Sequence, residues 1–598
     1  MSKTKDYSSL SKEQLLEVIE KLESKKKYGL VWDEERVPEK VVTDCQKKIP
    51  VLTEVKEKEI LTNETEPTHI LIEGDNYHAL SVLNYTHKGK IDLIYIDPPY
   101  NTGKDNEWKY NDKYVDNLDT YRHSKWLTFM SKRLELARDL MKDEGLIFIS
   151  IDDNEVAQSR LICDKIFGED NFVNIICQKS RHSISNDLII SENHNFLLFY
   201  AKKKIILFKN RYKFRLKKED YKGYSNPNND PDGPWKLVPV DGPGGESKGN
   251  PFYEFQGVSG YWRYSKDDMQ TYFEKGLIVV RDNSLSRKAY LKDDKGIIAV
   301  TTWWDDAGVT TDGTNELIRV LGNKSFNNPK PVSLIKRIVE LSLDKDGIIL
   351  DFFAGSGTTG QAIIEMNAKD GGTRKVILCT NNENSICEDV TYPRVSNIIK
   401  GFDFDGNQVD ILFEEKLTPT KVKKGKELFD KIDKIKEKEQ EKFDKFEVKV
   451  EKNNLILKGL KVKRGHQTGL GNNLRYFKTS FVENNRNKDQ MKINLTKKCT
   501  EMLCLKEGIY NQIIESNDYK IFQQANRYMA VYYDFPNASL DELKHRMNEL
   551  KGEKILYCFS IDAQGLDKSN FVGWKNIRIE PIPQKILDVY KRIFKTGK

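Results

Sequence analysis

Residues 90–103, KIDLIYIDPPYNTG, decide how the rest of the chain is read. The apolar run 90–97 reads as a buried strand that delivers Asp97 to its carboxyl end. Pro98 and Pro99 follow at once. Neither carries a backbone N–H and neither continues a ladder or a helix, so they hold a stiff turn whose carbonyls are free to point outward. Open α/β sheets bind their ligands at this edge. Tyr100 adds a flat ring. A carboxylate, free carbonyls and a ring suit a planar group bearing an amine: the acceptors take the NH2 hydrogens and the ring covers the face. The bland alternative is a proline-rich turn capped by aspartate. Four residues recur by chance, so a partner motif has to decide.

That partner is ILDFFAGSGTTG, 349–360. A strand ends in Asp351, the glycines 355 and 357 let backbone approach a ligand closely, and Ser356 or Thr358 caps the helix that begins there. Gly355, Gly357 and Gly360 spell G-x-G-x-x-G literally, a weak signal alone. The preceding DFFA, and the lack of a second half for hydride transfer, count against a dinucleotide enzyme. The next strand, KVILCTNN (375–382), is followed by Glu383. An acid at that place holds ribose hydroxyls or is a solvated loop carboxylate; Glu388 is a second candidate.

Around these motifs strands and helices alternate. HILIEG (69–74), GLIFISID (145–152), NFVNIICQ (171–178) and HNFLLFYAK (194–202) read as strands; 75–86, 117–142 and 155–167 read as helices. The pattern predicts an α/β, doubly wound parallel sheet. It dissolves over 205–325 into Gly/Pro/Asn/Asp loops carrying Trp235, Tyr253, Phe255, Tyr261, Trp262, Tyr264, Trp303 and Trp304. Aromatics at that density need burial or a flat ligand, so the stretch reads as an inserted domain. Helices at 330–343, 358–367 and 388–400 then resume the pattern. The expected organisation is an N-terminal helical and irregular segment (1–68, with an amphipathic helix over 11–27), one half of the sheet (69–204), the insertion (205–325), and the second half (326–420). A charged helical linker (421–447) and an α+β accessory domain (448–598) follow. The linker is read as a solvated helix on its neighbour, with a dimerising helix pair as the alternative.

Composition bounds the partners. The 598 residues hold 98 Lys and Arg against 91 Asp and Glu, a net +7 that permits a nucleic-acid partner without arguing for one. The eight cysteines include no CxxC, so reduced thiols in a cytoplasmic protein are expected. The polar start has no apolar core of a signal peptide, and no apolar run approaches 18 residues, which sets aside secreted and membrane classes. With no GxxxxGK[ST] and no convincing PD-x-ExK, motor and nuclease activity, if present in the system, would sit on another chain.

DPPY preceding DFFAGSG, with a variable region between, resembles the β-class amino-methyltransferases of DNA. The stretches LIEGDNYHALSVLNYTHKGKIDLIYIDPPYNTG, YNDKYVD, YRHSKWLTFMSKRLELARDLMKDEGLIFISIDDNE and DFFAGSGTTG are similar to the modification subunit of type III restriction–modification systems, over about 28–200 and 325–400. The resemblance implies a Rossmann-like methyltransferase sheet, S-adenosylmethionine as methyl donor and adenine N6 in duplex DNA as acceptor. It implies that Asp97 and the Pro98 carbonyl hold the target amine, with Pro99 in the same turn and Tyr100 stacked on the base. Asp351, Phe353, Ala354, Gly355, Ser356, Gly357 and Thr358 are expected around the cofactor. Lys330 and Pro331 open the helix at its methionine end, and Asp75 lies nearby. The insertion falls where that family keeps its target-recognition domain, with Arg263, Arg281 and Arg287 as candidates for base or phosphate contacts and surface salt bridges as the duller reading. A paired base is unreachable, so it must rotate out of the helix. No metal, covalent cysteine or strong base is required, and the histidines, His123 and His182 included, need no catalytic role. Expected partners are duplex DNA, a second copy of the chain and a helicase–nuclease restriction subunit. Alternatives left open are a solitary adenine methyltransferase or one from another defence system, a cytosine-N4 methyltransferase, and a catalytically silent specificity subunit, against which the intact motifs speak.

Overall fold

The buried apolar runs become strands of one ten-stranded sheet. In chain order these are β1 (Lys48–Glu54), β2 (Thr68–Glu73), β3 (Ile91–Ile96), β4 (Met141–Ile151), β5 (Phe172–Lys179), β6 (His194–Ala201), β7 (Trp303–Trp304), β8 (Ile348–Asp351), β9 (Lys375–Thr380) and β10 (Asn473–Glu483). Across the sheet they run β1-β10-β2-β9-β8-β3-β4-β6-β5-β7. The run from β10 to β4 is parallel throughout; β6 lies antiparallel to both β4 and β5. This computed structural model describes residues 11–16, 39–45, 47–102, 122–184, 189–211, 214–217, 221–451, 454–484, 487–533, 540–561, 566 and 568–595. YNDKYVD, the first residues of the 117–142 helix and most of the 11–27 helix lie outside them.

The helices that wind the sheet are α1 (Asn76–Thr86), α2 (Arg122–Leu140), α3 (Val156–Phe167), α4 (Thr310–Leu321), α5 (Val332–Ser342), α6 (Thr358–Asp370) and α7 (Tyr392–Lys400). From β3 the chain passes through α2 to β4, away from the centre in one direction; from β8 it passes through α6 to β9 in the other. Since β3 and β8 are paired neighbours, with Leu93 opposite Ile349, the winding reverses between them. A crevice opens outside the carboxyl ends of strands at such a reversal. Asp97 follows one strand and Asp351 ends the other.

The structure differs from the sequence reading at both ends. β1 lies in the stretch read as irregular: its run is short, holds Pro50 and is flanked by charges, yet Val51 and Leu52 are fully buried. β10 falls in the expected accessory domain but sits between β1 and β2, parallel to β2 from Thr68↔Asn473 to Glu73↔Lys478. Helices Thr500–Glu507 and Gln584–Lys595 share the main core, and the Tyr590 hydroxyl donates to the Pro50 carbonyl at 2.6 Å. No local signal names a partner four hundred residues away. The charged segment forms helix Gly425–Glu439, whose Leu428 and Ile432 pack on Leu455 and Leu457 of a three-stranded sheet. A five-stranded sheet, Asn511–Ile582, completes the tail.

By contacts the chain falls into two units: Met1–Lys209 with Thr302–Lys598, and Asn210–Thr301. The second is narrower than 205–325: α4 packs on α7, and Trp303–Trp304 form β7 beside β5, all in the first unit. Within 210–301, a three-stranded sheet and a hairpin surround a small core of Val240, Phe255, Trp262, Met269, Ile278 and Leu285. Burial thus accounts for Phe255 and Trp262. Among the described residues no helix is long and apolar enough to cross a membrane.

Candidate active site

At the end of β3 the proline turn is fixed by the Trp126 indole N–H, which donates to the Pro99 carbonyl at 2.8 Å. Tyr100 turns back over the strand end. Its hydroxyl donates to Asp97 Oδ1 at 2.8 Å and lies 3.0 Å from Ser150 Oγ, near the end of β4. Burial first, then the neighbouring Asp97 charge, holds this phenol protonated. Lys330 reaches in from the start of α5: its Nζ is 3.0 Å from Asp97 Oδ1 and 2.5 Å from the Tyr100 hydroxyl. Asp97 stays 29% exposed. Tyr95, one residue before the end of the strand, is buried, and its hydroxyl has no hydrogen-bond partner among the described residues.

At the end of β8 the chemistry is inverted. Asp351 is 3% exposed and both its oxygens are taken by its own chain: the Phe353 N–H donates to Oδ1 at 3.0 Å, and the Thr359 hydroxyl donates to Oδ2 at 2.6 Å. Burial pushes its carboxyl up to about 7 against those two bonds. The motif's aspartate therefore holds the turn with both of its oxygens. Gly355 and Gly357 have φ of +48° and +78°, values side chains disfavour. A Cβ at Gly355 would stand 3.2 Å from the Phe326 ring, and one at Gly357 3.3 Å from Thr391. Ala354 closes the turn on β9 through its N–H to the Cys379 carbonyl.

Arg394 of α7 underpins this turn, and sequence reasoning missed it. It is fully buried and donates to Ser356 Oγ (3.0 Å), Thr358 Oγ1 (2.8 Å) and Gln361 Oε1 (2.8 Å). Burial lowers its pKa to about 10 despite Glu316 and Glu365 nearby. An arginine in the first turn of a helix looks like a solvated face, so only its position after Pro393 in an otherwise apolar stripe could have flagged it.

Asp75 caps α1, accepting from the Tyr77 N–H at 2.7 Å, and pairs with buried Arg133 at 3.4 Å; helix start and ion pair absorb it. Pro331 is the N-cap residue of α5. Of the two ribose candidates, Glu388 pairs with Lys58 at 2.8 Å and Lys478 at 3.3 Å, and bonds from Lys58, Asn382 and Lys478 hold its carboxyl down at about 2. Glu383 lies in the turn after β9. His123 bonds the buried Glu155, at 2.7 Å. The three arginines lie in the 210–301 unit. Arg263 donates to the Asp241 carbonyl, Arg287 lies over the Tyr264 and Tyr272 rings, and Arg281 is exposed on its strand.

A methyl donor with a nucleoside part needs room at the glycine turn and polar atoms to meet it. Three buried oxygens near that turn have no hydrogen-bond partner among the described residues: Thr380 Oγ1 and Asn381 Oδ1 at the end of β9, and Ser325 Oγ beside Phe326. They fit such a ligand, since buried polar atoms seldom stay unpaired.

The DNA methylase family model matches residues 91–392, just over half of the chain. The modification (Mod) subunit of the type III restriction–modification enzyme StyLTI, from Salmonella typhimurium strain LT2, is 34% identical over 389 residues, 59% of each chain. The type II methyltransferase M.KpnI of Klebsiella pneumoniae is 33% identical over 353 residues, 52% of this chain and 79% of its own. Among solved structures, M1.HpyAVI bound to S-adenosylmethionine aligns with a TM-score of 0.27 at 12% identity, covering 55% of this chain and all of the other. A split sheet carrying DPPY on one side of its reversal and a glycine turn on the other defines the class, and the chain belongs to the DNA methylase family. It spans less than two thirds of the StyLTI subunit's length.

Proposed function

We propose that this protein transfers a methyl group from S-adenosylmethionine to the N6 amine of adenine in duplex DNA, as the modification subunit of a type III restriction–modification system. The observation that carries the reading is the Asp97–Tyr100 turn facing the glycine turn across the β3/β8 reversal. Residues 91–392 belong to a DNA methylase family, and the StyLTI relative is a type III Mod subunit.

The chain's residues divide the work. Asp97 Oδ1 and the Pro98 carbonyl accept the two amine hydrogens, which draws the nitrogen toward a tetrahedral shape and frees its lone pair. Pro99 spends its carbonyl on Trp126 and so keeps the turn rigid. The Tyr100 ring covers the face of a base whose extrusion costs a few kcal/mol. Gly355, Ser356, Gly357 and Thr358 border the donor, with Phe353 and Ala354 behind them and Glu383 at its ribose. The donor supplies an electrophilic methyl on a sulfonium, a potent leaving group, so alignment provides most of the acceleration. The 210–301 unit reads the sequence, two copies share reading and methylating, and cleavage belongs to a separate helicase–nuclease chain.

The test is to incubate the protein with duplex DNA and isotopically labelled S-adenosylmethionine and weigh the digested nucleosides. Label in N6-methyladenine is expected. Label in N4-methylcytosine, or none, overturns the reading.

A further inference from the structure

The Lys330 ammonium stands where a donor to Asp97 is needed. It touches Asp97 Oδ1 at 3.0 Å and the Tyr100 hydroxyl at 2.5 Å, lies 4.7 Å from the Tyr100 ring centroid, and is only 11% exposed. Tyr100 donates to the same Oδ1. A carboxylate oxygen offers two lone pairs, so this one is already saturated. An ammonium over the ring and against the carboxylate copies the demands of a flat amine: N–H donors toward oxygen and an electron-poor group toward the π face. The Lys330 main chain, meanwhile, belongs to the other turn. Its carbonyl accepts from Thr358 Oγ1 at 3.3 Å, the hydroxyl that Arg394 also holds. The resemblance implies that Lys330 opens the helix flanking the methionine end of the cofactor; its side chain lies on the proline turn.

We propose that Lys330 caps the amine site: its ammonium occupies the Asp97 acceptor until a target base displaces it. Lys330 is then a positioning residue and an internal competitor for the target amine. The cap keeps Asp97 partnered between turnovers and makes an incompletely extruded base pay for displacing it, which favours bases presented in full. The inference deepens the adenine methyltransferase reading and rests on it.

The experiment uses the full chain with Lys330→Met and Lys330→Arg, on a duplex carrying the sequence methylated in an expressing host. The KM for DNA and kcat are measured, together with S-adenosylmethionine binding by calorimetry. Lys330→Met is expected to lower the KM about fivefold, the equivalent of about 1 kcal/mol for a part-exposed ion pair. The gain should shrink when the target adenine is mismatched and already loose. Cofactor affinity should stay within about twofold of wild type, and Lys330→Arg, which keeps a charged donor, should restore the wild-type KM. An unchanged or raised KM overturns the cap, and so does a tenfold loss of cofactor affinity, which would return the amine to the cofactor.

A second readout is independent of turnover and of the Lys330→Met fold. Acylation of Lys330 by a soluble amine reagent, followed by peptide mass analysis, should accelerate several-fold in Asp97→Asn. An unchanged rate overturns the cap. A wild-type protein that methylates no DNA while this acceleration is seen would fault the proposed function and leave the cap standing.

Discussion

Two aspartates end neighbouring parallel strands, and they have opposite lives. Asp97 closes β3, is 29% exposed, and shares one oxygen between a phenol and a lysine reaching in from α5. Asp351 closes β8, is 3% exposed, and has both oxygens taken within eight residues of itself. The turns beyond them differ in kind as well. Prolines stiffen the first without supplying donors; positive-φ glycines let the second fold tightly over α6. The same place in the same sheet therefore yields one carboxylate that can trade partners and one that cannot. The first suits chemistry on an arriving amine, the second suits holding a loop.

That contrast can be broken from several sides. The largest effect is expected at Arg394. Arg394→Met strips four charge-assisted bonds from the glycine turn and the start of α6 and leaves Ser356, Thr358 and Gln361 to re-pair. Chemical denaturation should show a loss of about 3–5 kcal/mol, because hydrogen bonds to a charged group contribute about 1.5–3 kcal/mol each and their acceptors stay buried. A change under 1 kcal/mol would mean that the turn stands without it. Next, Asp97→Ala should cut single-turnover methyl transfer by about 10²–10³, typical for removal of an oriented acceptor or donor, with the denaturation midpoint barely moved.

Tyr100→Ala should cost about 1–3 kcal/mol of transfer, and Tyr100→Phe should recover much of it, because stacking needs only the ring. If Phe is as poor as Ala, the hydroxyl bridge between Asp97, Ser150 and Lys330 matters more than the ring. The last effect concerns pH. Asp351 has its folded pKa raised from 3.8 to about 7, so its protonated form favours the fold. Its contribution is complete below about pH 4 and is lost as pH rises through 7. Over that window the wild type should lose stability relative to Asp351→Asn with a slope of up to about 1.4 kcal/mol per pH unit. Parallel pH curves for the two proteins would show that Asp351 is ionised without penalty.

The sequence carried the centre of this molecule and lost its edges. KIDLIYIDPPY and ILDFFAGSG were legible because an apolar strand ending in Asp, then proline or glycine, leaves few conformations open. The task of Asp351 was not legible: only the folded turn brings Thr359 and the Phe353 N–H onto its two oxygens. Arg394 and Ser150 escaped for a similar reason, since each sits in an ordinary helix or strand pattern and gains meaning from a neighbour distant in sequence. β10 escaped because sheet pairing across four hundred residues leaves no periodic trace.

Calorimetric titration of S-adenosylmethionine into Asp97→Ala and Gly355→Val, side by side, tests the division of labour most directly. The account predicts wild-type affinity in Asp97→Ala, and a folded Gly355→Val that binds no donor, because its side chain meets Phe326 and an unfavourable φ. Loss of donor binding in Asp97→Ala, or undiminished binding in Gly355→Val, would contradict it.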